Sequence, residues 1–112
     1  MRRGRALLLA GALLAAAGCD ELASRSPGEK IWRKRCAECH GLDGAGNTPR
    51  YMSNAWADLT DDRWKGYGGD RAGLESSIRE GSFPDMPAFD DLSPQEMRAL
   101  LDHIAWLRGE TP

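Results

Sequence analysis

The 112-residue sequence is poor in the residues that usually build catalytic or metal sites: histidine occurs twice and cysteine three times. An odd cysteine count excludes a framework in which every thiol is paired. A surplus of positive charge is also missing, since Lys and Arg total 15 against 17 Asp and Glu, for a formal charge of −2. Nothing in that balance points to nucleic acid as a partner. No stretch alternates apolar and polar residues long enough to suggest a sheet. The longest apolar run, residues 6–18, falls short of the ~20 residues a spanning helix needs. The length leaves room for one small domain.

What is present begins with "MRRGRALLLAGALLAAAGCD". Three arginines, an apolar run and small residues before Cys19 have the order of an export signal. "AAAGC" resembles the lipobox of bacterial lipoproteins, with Ala16 where leucine is usual. The resemblance implies that Cys19 becomes the first mature residue and carries lipid. The alternative is ordinary cleavage near Ala17, which leaves Cys19 as a spare thiol. Asp20 resembles the inner-membrane retention signal of enteric lipoproteins. The expected division is residues 1–18 as signal peptide, 19–26 as lipidated cysteine and short tether, and 27–112 as the folded domain. At ~3.5 Å per residue the tether reaches about 25 Å, which holds any partner close to the same membrane.

"SPGEKIWRKRC" opens the first element, with Ser26 as cap, Pro27 at the first helical position and Glu29 completing a capping box. Gly28, Trp32, Cys36 and Cys39 recur on one face, which predicts a helix from Pro27 to about Cys39. Lys30, Arg33 and Lys34 fall on another side, as a solvated face. Residues 41–67 are rich in turn formers, with a short helix expected across "DDRW". A second helix is expected over residues 71–80, capped by Asp70, stopped by Gly81 and turning Leu74 and Ile78 inward. "SFPDMPAF" places Pro84 and Pro87 around Met86 and stiffens a loop. "SPQEMRALLDHIAWLRGE" repeats the Ser-Pro-x-Glu start, and Met97, Leu100, Leu101, Ile104 and Leu107 form its apolar stripe.

The domain is therefore expected to be all-α, with three to four short helices and long loops. Such a chain buries little core of its own, and a cofactor is the natural filling. "CAECH" supplies an attachment point. Cys-x-x-Cys-His is the signature by which two thiols hold a c-type haem while the adjacent histidine binds its iron. A redox disulfide between Cys36 and Cys39 lacks the expected βαβ context, and a zinc clip lacks convincing further ligands, Cys19 and His103 being poor candidates. Export, domain size, core deficit and the adjacent histidine all favour haem.

From about Gly28 to Leu107 the chain resembles class I cytochrome c. "CAECHGLDGAGNTP" is similar to that family's haem-binding segment, and the resemblance implies covalent attachment of one haem c through Cys36 and Cys39, with His40 on the iron. It also implies that the carbonyl of Pro49 steadies His40, in keeping with the rule that a metal-bound histidine donates its other N–H to an acceptor. "FPDMPAF" resembles the family's distal loop, which makes Met86 the sixth ligand. Met52 lacks flanking constraint and Met97 lies on a core stripe, so elimination agrees. In the family the terminal helices cross with a glycine meeting an aromatic, which suggests Gly28 and Trp32 against Trp106. Trp64, or neighbouring Arg63, and Arg50 are candidate partners of a haem propionate. His103 is expected at the surface or in packing.

A His/Met-ligated haem has no open iron position, so the resemblance implies an electron carrier rather than an enzyme. Its expected place is the periplasmic side of the bacterial inner membrane, lipid-tethered beside respiratory or dehydrogenase complexes, with redox proteins as partners. "DDRWKGYGG…SIREGSFPDMPAF" also resembles the cytochrome c domains of haem-copper oxidases and periplasmic dehydrogenases, so a subunit of such a complex is the alternative. A haem enzyme or gas sensor with a displaceable Met86 stands behind both.

Overall fold

The computed structural model describes residues 25–64, 68–82 and 84–110. The expected signal peptide and Cys19 lie outside the described residues. Among the described residues four α-helices run in the order α1 (Pro27–Arg35), α2 (Ala37–His40), α3 (Arg71–Glu80) and α4 (Pro94–Leu107), with 3-10 turns at Ala55–Ala57 and Asp62–Trp64. Among the described residues the only extended pairing is an isolated bridge between Ser82 and Met86. None of the described helices is long and apolar enough to cross a membrane. The all-α class with short helices and long loops is the architecture expected.

The caps explain where the helices start. Ser26 Oγ accepts from the Glu29 N–H at 3.1 Å, with Pro27 following. The reciprocal half of the capping box expected here goes elsewhere, because the Glu29 carboxylate accepts from Arg33 Nε one turn on, at 3.1 Å. At α4 the box is complete: Ser93 Oγ accepts from Glu96 N–H and Glu96 Oε1 from Ser93 N–H, both at 3.0 Å. Asp70 caps α3 through Gly73 N–H at 2.9 Å.

The single helix expected from Pro27 to Cys39 is interrupted. Cys36 has φ −119° and ψ −37°, which ends α1 and starts α2 as a separate turn. His40 N–H and Cys39 N–H both reach back to the Cys36 carbonyl, at 3.0 and 3.3 Å. This tight turn changes the direction in which Cys39 and His40 leave the chain relative to Trp32.

α1 and α4 cross at Gly28. A Cβ built there would lie 2.0 Å from the Ala99 carbonyl oxygen and 3.0 Å from His103 Cβ, so only glycine fits the crossing. The aromatic expected against it is not Trp106, whose side is 70% exposed. His103 fills that place instead, buried between Trp32 and Trp106 with ring centroids 6.0 and 5.6 Å away.

Trp32, Met97 and Leu100 are the largest fully buried side chains and form the floor of the core with Leu101 and Ile104. α3 adds Leu74 and Ile78 from the other side. Arg71 Nη1 pairs with Asp102 Oδ1 at 2.8 Å and holds α3 to α4. Between these helices the core is not closed. A cavity of about 600 Å³ remains, in the range of cofactor pockets.

Candidate haem site

The cavity is lined on its apolar side by Trp32, Leu59, Trp64, Leu74, Ile78 and Ile104, and Cys36, Cys39, His40 and Met86 all open onto it. Cys36, Cys39, His40 and Met86 are thus brought to one space from segments far apart in sequence. Cys36 and Cys39 are free thiols. Burial is the main cause that pushes the Cys36 thiol up to about 11, against the pull of neighbouring Arg35. The Cys36 sulfur is therefore held neutral in this environment. Among the described residues no group of three His, Cys, Asp or Glu side chains is placed to hold a metal ion by itself.

His40 is oriented by its backbone neighbours. Its Nδ1 lies 2.8 Å from the Ala57 carbonyl oxygen. A carbonyl only accepts, so Nδ1 carries the proton and Nε2 keeps its lone pair for a metal. Pro49, expected to supply this carbonyl, is exposed and does not line the cavity. The chain runs on past it through turns at residues 50–53. Asn54 then caps the 3-10 turn at Ala55–Ala57, which carries the Ala57 carbonyl back to His40. Trp32 packs on the imidazole with ring centroids 5.9 Å apart and donates its indole N–H to the Gly41 carbonyl at 3.0 Å.

Met86 is held in a small cage of backbone. Ser82 N–H donates to Met86 O and Met86 N–H to Ser82 O, each at 2.9 Å. Gly81, with φ 72° and ψ −174°, turns the chain out of α3 in a conformation that is essentially glycine-only. A Cβ there would stand 2.7 Å from Met86 O, Pro87 C and Ala88 N. Phe89 N–H returns to the Ile78 carbonyl at 2.8 Å and docks the far end of the loop on α3. Met97 is buried in the core and Met52 is 74% exposed, so neither opens onto the cavity.

Of the candidate propionate partners, Trp64 and Arg50 line the cavity and Arg63 does not. The Trp64 indole N–H is already given to the Asp58 carbonyl at 2.7 Å, so this tryptophan serves as a wall and not as a donor. Trp56 meets it edge-on, with centroids 5.6 Å apart and planes at 81°, and Arg63 lies over Trp56. Arg50 is exposed, its guanidinium 5.5 Å from the Tyr51 ring centroid, and of these three candidates it is the cation at the cavity edge suited to a carboxylate. His103 faces a different pocket and is no iron ligand. Sequence reasoning missed the Ala57 carbonyl, Trp56 and Arg35 as parts of the site. A backbone acceptor leaves no side-chain signal that could have revealed the first.

A few short helices around one apolar cavity, walled by a Cys-x-x-Cys-His turn and a caged methionine, define a c-type cytochrome domain of class I. Its residues fit a covalently attached haem c: two free thiols, a histidine in the metal-binding tautomer, a thioether and an apolar lining. The chain belongs to the family described as cytochrome c oxidase, cbb3-type, subunit III, which matches residues 23–104. It is 35% identical over 97 residues to the cbb3-type cytochrome c oxidase subunit FixP of Azorhizobium caulinodans, covering 86% of this chain and 31% of that protein. To subunit FixP of Bradyrhizobium diazoefficiens it is 37% identical over 83 residues, covering 73% and 27%. To subunit CcoP of Rhodobacter capsulatus it is 34% identical over 90 residues, covering 73% and 29%. The chain thus spans about a third of the length of these relatives or less. No solved structure matches it.

Proposed function

We propose that this domain carries single electrons through one His/Met-ligated haem c as the cytochrome c component of a cbb3-type oxidase complex. The observation that carries the reading is the convergence of Cys36, Cys39, His40 and Met86 on one apolar cavity. The similarity to FixP and CcoP subunits favours the oxidase component over a free carrier that merely diffuses beside such complexes. When bound, the haem supplies a ferric/ferrous couple that exchanges one electron without making or breaking bonds to substrate.

The protein's part is to hold that couple steady. Cys36 and Cys39 would hold the haem covalently through their sulfurs. Ala57 holds His40 in one tautomer, and the bridge to Ser82 holds Met86 in reach. His40 and Met86 would both hold the haem iron, leaving oxygen and peroxide no place on it, so the group would supply electron exchange and no catalysis. Apolar walls exclude water, which limits the charge rearrangement that accompanies each electron. Arg50 at the cavity edge would hold a haem propionate. Residues 1–18 act as an export signal and Cys19 as a lipid anchor, which places residues 27–112 at the periplasmic side of the inner membrane.

Membrane fractions from cells making the full chain provide the test. An oxidase should co-purify with it, the ferric protein should show the weak red-edge band of sulfur ligation, and Met86→Ala should abolish that band. Carbon monoxide binding by the reduced wild-type protein without denaturant would refute the closed iron and favour a gas sensor or haem enzyme.

A further inference from the structure

Two parts of the site that are distant in sequence are joined by one side chain. Arg35 is the last residue of α1, directly before Cys36, and its own side chain lines the cavity. Its Nη1 donates to Asp91 Oδ2 at 2.9 Å. Its guanidinium carbon also lies 4.9 Å from the centroid of the Phe89 ring. Both partners belong to the stretch that follows Met86, and Phe89 is itself docked on α3 by its backbone. The planar cation therefore sits between an acid and a ring on the segment that presents the methionine.

We propose that Arg35 is a positioning residue for Met86. By holding Phe89 and Asp91 against the end of α1, it couples the loop that bears the distal ligand to the helix that leads directly into the attachment cysteines. It thereby sets how readily an outside ligand replaces Met86. The proposal rests on Met86 being the sixth ligand, as argued above.

The physical reason is a difference between two states. For an external ligand to take the methionine's place, the loop must swing away, and any contact made only in the closed state opposes that opening. The Arg35–Asp91 pair is partly exposed, at 31% and 61% of the two side chains, so solvent and salt weaken it. The stacking on Phe89 is the more robust half, and a lysine point charge reproduces the pair better than it reproduces the stack.

The experiment is a cyanide titration of the ferric, haem-loaded full chain, following loss of the sulfur-ligation band, together with hydrogen exchange at the Met86 and Phe89 amides. Arg35→Gln should raise cyanide affinity about three- to fivefold and speed exchange at both amides. Asp91→Asn, which leaves the attachment helix untouched, should raise it by about twofold or less, and Arg35→Lys should fall between wild type and Arg35→Gln. Unchanged cyanide affinity in both Arg35→Gln and Asp91→Asn overturns the proposal. So does exchange at Leu101 and Ile104 that quickens as much as at Phe89, since that marks a general loss of stability. Met86→Ala separates the two readings. If it leaves cyanide affinity at the wild-type value, the ligand assignment itself falls; if it raises affinity while Arg35→Gln does not, only the positioning role falls.

Discussion

Replacing Gly28 with alanine sets two known effects against each other, and the geometry of the crossing decides between them. Alanine is the better helix former by about 1 kcal/mol, so a solvent-facing Gly→Ala in α1 would stabilise the protein. Gly28, however, is buried, and the added Cβ would lie 2.0 Å from the Ala99 carbonyl oxygen, where ordinary contact starts at 3.4 Å. The obstacle is backbone, which cannot rotate aside as a side chain can. The two helices must separate by more than an ångström, and Trp32, Met97 and Leu100, each 1% exposed, lose close contacts. Overpacking of this kind costs up to about 3 kcal/mol, and subtracting the propensity gain leaves a net loss of ~2 kcal/mol. For a domain of this size that lowers the thermal midpoint by roughly 8–16 °C. Thermal unfolding of the haem-loaded wild type and Gly28→Ala, followed by circular dichroism, measures it. A midpoint equal to or above wild type would show that the helices do not cross this closely and refute the reasoning.

Gly81→Ala should strain the exit from α3 by about 1–3 kcal/mol. It should also displace Met86, read as a weakened sulfur-ligation band with the α1–α4 amides still protected in hydrogen exchange. Trp32→Phe keeps the ring but removes the donor to Gly41, and should cost about 1 kcal/mol in urea unfolding. His103 is held below the ordinary histidine range, chiefly by burial, with Arg33 adding to the shift and Glu29 opposing it. The unfolded chain then binds the proton more readily, so stability is full above pH ~6.5 and declines as pH falls through the lower folded-state value. Urea midpoints at pH 7.5 and 5 should differ for wild type and converge in His103→Leu, once its own overall stability change is subtracted. A pH dependence that survives the substitution would assign it to other groups.

Much of this protein could be read from contiguous residues. Helix starts were legible because a cap acts within three or four positions, as at Ser26, Asp70 and Ser93. The haem anchor was legible for the same reason, since Cys36, Cys39 and His40 lie within one turn of chain. Met86 stood out because prolines on either side confine its loop. The break at Cys36 was hidden, because nothing in its neighbours' helix propensities calls for it.

Tertiary structure alone decided which group meets which across the fold. Pro49 looked like the acceptor for His40, yet the path of the loop gave that role to the carbonyl of Ala57, an atom every residue possesses. The indole of Trp64 looked like a propionate donor, and Asp58 claimed its N–H. Gly28 required a close neighbour, but only the crossing angle made that neighbour Ala99 and His103 and left Trp106 to the solvent. Local chemistry depends on residue type and short spacing, which a sequence records. Contacts between distant backbone atoms depend on where the loops turn, and only the folded chain fixes that.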